Sequence, residues 1–128
     1  MKYYFSKTIN HTFDEAIEQV TANLQEEGFG VLTEIDVKAT LKKKIDVDFK
    51  PYKILGACNP AFAHKALSQE DKIGSMLPCN VIVIQQQDGI EVAAIDPAAS
   101  MLAVENPALG EIATEVRAKL QRVIENLN

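Results

Sequence analysis

The order of apolar and polar positions divides the chain into short units that switch between a two-residue and a 3.6-residue period. Tyr3 to Ile9 alternates loosely and is rich in aromatic and β-branched residues, which predicts a first strand. A helix follows directly. Thr12 and Glu15 have capping-box spacing, Asp14 and Glu15 favour the positive end of the helix dipole, and Phe13, Ala16, Ile17, Val20 and Leu24 form one apolar stripe. Gly28 is its natural stop. Gly30 to Asp36 reads as a second strand, with Val31, Thr33 and Ile35 on one face and Leu32, Glu34 and Asp36 on the other. Val37, Leu41 and Ile45 then space a short amphipathic helix that turns its lysines outward and takes Asp36 as its cap.

Tyr52 to Cys58 is a third strand, ended by Asn59-Pro60, where Asn caps and Pro occupies the first turn of a helix running to about Leu67. The same punctuation recurs. Asp96-Pro97 opens a short helical segment through Ala103, and Asn106-Pro107 opens a long terminal helix carried by Leu109, Ile112, Ala113, Val116, Leu120, Val123, Ile124 and Leu127. Between them lies a hairpin, Asn80 to Gln86 and Ile90 to Ile95 around the turn residues Asp88-Gly89. Val81 to Ile84 are apolar on both faces, as expected of a central strand covered on two sides by helices, a partner subunit or the rest of the core. The order β-α-β-α-β-α-β-β-α-α predicts an α+β fold: a single mixed sheet of about five strands with helices packed on it. A chain of 128 residues fits one domain, residues 1–128.

Composition narrows the setting. Apolar residues make up 47% and charged residues 24%, a globular mix. Lys2 and Lys7 flank an N-terminal segment without the continuous apolar stretch of an export signal, and the longest strand-like apolar run is far short of a membrane span. A cytoplasmic protein is expected, with Cys58 and Cys79 reduced. The formal net charge of −5 argues against nucleic acid and membrane surfaces as partners. One stretch departs from this average. Six of the 13 basic residues fall between Lys38 and Lys53 against two aspartates. Lys38, Lys42 and Lys53 make an anion patch suited to a small anionic ligand, although a solvated helix face is the ordinary reading.

The motifs GxxxxGK[ST], GxGxxG, HExxH, CxxC and GxSxG are missing, so the chemistries they carry are not indicated. Candidate chemistry falls on strand ends. Cys58 directly precedes the Asn59 cap, where backbone N–H groups and the helix dipole favour a thiolate. Cys79 and Asn80 stand at the entry to the central strand. The ordinary reading of both cysteines is apolar packing. His64 is placed to orient toward Cys58, while His11 is a turn residue. Two cysteines and one histidine are an incomplete zinc set, and no metal is expected. Glu34 and Asp36 share a strand face as an acid/base pair or, more ordinarily, as a solvated face plus a cap. Asp96 completes the candidate set. A strand ending at Cys58 and one beginning at Cys79 bring Cys58, Asn59, Cys79 and Asn80 together only if the two strands are antiparallel, which is the arrangement expected, with Glu34, Asp36 or Asp96 within reach.

Four blocks, Gly28 to Lys38, Tyr52 to Pro60, Leu77 to Val81 and Asp96-Pro97, together resemble the bacterial and archaeal family known as domain of unknown function 302. The resemblance spans nearly the whole chain and implies a compact α+β domain, often a homodimer, without assigned catalytic residues. Three functions stay open: a small-molecule binding or sensing module, for which the lysine patch allows an anionic ligand; a thiol-dependent enzyme or redox carrier using Cys58 and Cys79; and a dimeric structural or assembly protein. The residues leave open whether any reaction is catalysed.

Overall fold

The computed structural model describes residues 2–128. The first helix, α1 (Phe13–Glu26), follows strand β1 (Tyr4–Ile9) and is held at its start by the expected capping box, with Glu15 N–H donating to Thr12 Oγ1 at 3.1 Å and Thr12 N–H to Glu15 Oε1 at 2.9 Å. It ends in a Schellman arrangement around Gly28 (φ +88°): Phe29 N–H reaches Leu24 O at 2.9 Å and Gly28 N–H reaches Gln25 O at 3.1 Å. Strand β2 (Gly30–Asp36) runs into α2 (Val37–Ile45), which Asp36 caps by accepting from Ala39 N–H at 2.9 Å. Then come β3 (Tyr52–Cys58), α3 (Pro60–Gln69), a 3-10 segment (Asp71–Met76), the hairpin β4 (Cys79–Gln86) and β5 (Gly89–Ile95), α4 (Pro97–Ser100) with a 3-10 continuation to Ala103, and α5 (Ala108–Glu125).

One sheet of five strands holds the order β1-β5-β4-β3-β2, which puts β4 at its centre as the apolar run of Val81 to Ile84 required. The α+β fold is as expected. The sheet departs from the expected mixed form, because all four pairings are antiparallel. The reason lies in α2 and α3. A helix between two strands suggests a crossover to a parallel neighbour, but each of these helices is an insertion in a hairpin, returning the chain alongside the strand it has just left. The parallel relation that does arise, between β1 and β2, joins the two opposite edges of the sheet.

The main core lies on one face of the sheet, where Ala16, Val20 and Leu24 of α1 and Val116, Leu120 and Val123 of α5 meet Leu55, Val81, Val83, Ile90 and Val92. Glu27 and Arg122 lock the two helices through a forked pair at 2.9 and 3.1 Å, and the guanidinium holds the Glu27 carboxyl below the ordinary carboxylate range. A smaller cluster of Ala66, Ile73 and Leu109 binds α3 and the 3-10 segment to the start of α5. Asn106 reinforces it by donating to Gln69 O at 2.9 Å. The other face of the sheet carries a row in register across all five strands, Ser6, Ala93, Ile82, Ile54 and Ile35, with Ile84 and Tyr52 in the next row. Ile54, Ile82, Ile84 and Ala93 belong to neither cluster.

Candidate functional site

The antiparallel pairing of β3 with β4 sets Ala57 opposite Cys79, and Cys58 follows Ala57 directly, so both thiols come to the same end of the sheet. Below that end is a cavity of about 300 Å³. Cys58, Asn59 and Cys79 are in its wall, with Phe62 and Ala63 from α3, Leu77 from the 3-10 exit, Pro97 from α4, Met101 from its 3-10 continuation, and Leu109, Ile112 and Val116 from α5. Phe29 closes the side next to α1. Leu32 and Leu67, 68% and 43% exposed, line it where it meets solvent. Among the described residues, none with a charged side chain lines this space.

The structure divides the sequence candidates. Cys58, Asn59 and Cys79 share the cavity. Asn80 does not, because it pairs with Gly56 and is exposed. Asn59 stands at the start of α3, yet its side chain makes no cap; its amide donates to Glu27 O at 3.4 Å and ties α3 to the turn after α1. The capping role read from Asn59-Pro60 is therefore corrected. Asp96, 5% exposed, caps α4 by accepting from Ala98 N–H at 3.0 Å and takes the Arg117 guanidinium at 3.2 Å. Its neighbour Pro97, not Asp96, reaches the cavity. Glu34 pairs with Lys53 at 2.8 Å, which raises the Lys53 pKa, and Asp36 is occupied as a cap; neither lines the cavity. The anion patch is spent internally as well. Lys38 donates to Phe49 O at 2.8 Å, and Lys42 lies 2.8 Å from Asp46 and 3.3 Å from Asp48. His64 is exposed on α3 and absent from the cavity wall, and His11 contacts Asn128 O at 2.7 Å.

Burial pushes the Cys79 thiol up to about 11, with the neighbouring Cys58 adding to the effect. At neutral pH it is a protonated, weakly polar wall group and a poor nucleophile. Folded protein at pH 7 is accordingly expected to leave Cys79 unmodified by iodoacetamide, with its labelling rising only as the pH approaches 11, as followed by peptide mass spectrometry. Rapid neutral-pH labelling of Cys79 in folded protein contradicts this.

Most of the wall was invisible to motif reading. Phe62, Leu77, Met101, Leu109 and Ile112 sit in helical or loop contexts whose apolar residues read as core, and they come from four segments brought together only by tertiary packing. The one available signal was apolar residues in excess of a single stripe on the short helices. Among the described residues, no three His, Cys, Asp or Glu side chains gather as a metal site, and no helix is long and apolar enough to cross a membrane.

The sequence profile described as Domain of unknown function DUF302 matches residues 5–127. No curated protein matches the chain. The fold is similar to the crystal structure of an uncharacterized conserved DUF302 protein from Bacillus stearothermophilus, with 29% identity, 98% of each chain covered and a TM-score of 0.91.

Proposed function

We propose, on the premise that the chain belongs to the DUF302 family, that it is a small-molecule binding module acting as one domain, with its ligand in the cavity below the ends of β3 and β4. The observation that carries this is the cavity itself. Native interiors keep few voids larger than a water molecule, and this one is an apolar space that opens to solvent beside Leu32 and Leu67. Seven separate elements nonetheless contribute walls to one space of about 300 Å³, within the ordinary range of ligand sites. Two free thiols and a net charge of −5 fit a cytoplasmic module without nucleic-acid or membrane partners. The test is a ¹H–¹⁵N NMR titration with fragments of about ten to fifteen non-hydrogen atoms. At least one fragment is expected to shift the amides of Phe62, Ala63 and Cys79 saturably, and Ala63→Phe, which fills the space, to abolish the shifts. Shifts that persist in a folded Ala63→Phe variant, or none with any fragment, overturn the proposal.

The protonated state of Cys79 leaves Cys58 as the thiol on which the thiol-enzyme alternative rests. A second reading has its own observation, the register-aligned apolar row on the face away from α1 and α5. Ile35 is 49% exposed and Ile54 and Ile82 are half-buried, so part of this face stands open, while Ile84 and Ala93 are already covered at 8% and 4% exposure. A second copy of the chain is its proposed occupant, because a row of Ile and Ala offers the same apolar surface to a copy of itself under two-fold symmetry.

A further inference from the structure

We infer that the cavity takes an uncharged, mainly apolar molecule of about ten to twelve non-hydrogen atoms, an aromatic or branched hydrocarbon body with at most one neutral polar group, and not the anion that the lysine-rich stretch suggests. This rests on the small-molecule reading of the same site.

The size follows from volume. An apolar cavity of about 150 Å³ accommodates the six carbons of benzene, and this one measures about 300 Å³. The chemistry follows from the wall. Phe29, Phe62, Leu77, Met101, Leu109 and Ile112 offer only carbon and thioether surface, and the hydrogen-bonding side chains are limited to Asn59 and the two thiols. One N–H of the Asn59 amide is directed at Glu27 O, which leaves its second N–H, its carbonyl and the weak S–H groups as partners for one neutral group. A carboxylate or ammonium entering here loses its hydration without gaining a counter-charge, and such burial is strongly unfavourable.

The nearby cations do not change that balance. Arg117, beside Val116 of the wall, is forked onto Asp96 and lies 5.0 Å from the centre of the Phe5 ring. Lys119 sits 5.9 Å from the centre of the Phe62 ring and 3.9 Å from Glu27. Lys65, 5.3 Å from the same ring centre, is exposed, and a pair formed with it in water contributes little. Lys38, Lys42 and Lys53 are engaged elsewhere.

The test uses three molecules with one carbon skeleton: phenylpropanol, phenylpropionate and phenylpropylamine, titrated at pH 7 and followed by ¹H–¹⁵N NMR. The alcohol is expected to bind at the amides of Phe62, Ala63 and Cys79 and to raise the melting temperature by about 3–6 °C at saturating concentration. The acid and the amine are expected to bind at least about tenfold more weakly. Ala63→Phe, or Ala113→Met if the first variant folds poorly, removes the alcohol shifts. Equal or tighter binding of the acid or amine at those amides overturns the ligand class and leaves the site standing. Absence of any shift with the alcohol also overturns the class; if the fragment set of the preceding test fails too, the site falls with it.

Discussion

Gly56→Ala is expected to lower stability by about 1–2 kcal/mol, and Gly56→Val by about 3 kcal/mol or more. Strand interiors ordinarily gain from this change, since replacing glycine by alanine recovers roughly 0.5–1 kcal/mol of backbone entropy. Here the sign reverses. Gly56 lies on β3 between Thr33 of β2 and Asn80 of β4, and a Cβ at this position collides with Thr33 Oγ1 and comes within 2.7 Å of Pro78 Cγ. Thr33 is exposed and can rotate aside, whereas the Pro78 ring is rigid, so overpacking of about 1–3 kcal/mol outweighs the entropic gain. Thr33→Ala should restore part of the loss in a double-mutant cycle, leaving the proline contribution. Urea midpoints at unchanged slope give the measurement. A neutral or stabilising Gly56→Ala refutes the close approach of the Pro78 ring to β3.

Under the proposed dimer, wild-type protein has twice the 14.1 kDa mass of one chain in light scattering, and Ile82→Lys reduces it to that of one chain. Ile82 is the middle of the five-strand row, flanked by Ile54 and Ala93. Two-fold symmetry places each substitution in the interface twice. At about 2 kcal/mol or more per copy for a central position, dimer affinity falls by roughly a thousandfold. Because Ile82 belongs to neither core cluster, the variant's far-ultraviolet circular dichroism and melting are expected to show a folded chain. A wild-type mass equal to one chain at all concentrations ends the dimer proposal, as does an Ile82→Lys protein that still has the doubled mass.

Local chemistry made much of this fold legible. Thr12 with Glu15, Asp36 before Val37 and the Asp88-Gly89 turn each act within a few residues, and the elements they delimit lie within a residue or two of expectation. The segment from Asp71 to Met76 carried no periodic signal, because a 3-10 turn of six residues has too few positions to show one. Strand direction was equally hidden. A helix between strands looks the same in sequence whether it crosses over the sheet or sits inside a hairpin, and α2 and α3 do the latter. At the site, the cysteines and Asn59 were legible because Pro60 and Pro78 mark the strand ends. The acidic candidates were absorbed by capping and ion pairing, whose partners Arg117 and Lys53 are 21 and 19 residues away from Asp96 and Glu34 in sequence.

The position of β1 governs when the fold can be completed. Its six pairs with β5 join residues 81 to 91 positions apart, from Ile9 with Ile90 to Tyr4 with Ile95, while β2 through β5 pair with their immediate successors. Loop-closure entropy makes such long-range pairing a late event. On a ribosome, β1 is made before the other strands and waits unpaired until β5 follows 81 to 91 residues later, its backbone donors and acceptors open to any other strand edge. The polar side chains of Ser6, Lys7 and Thr8, all exposed in the finished sheet, then serve a second purpose, discouraging this early segment from pairing with a neighbouring nascent copy.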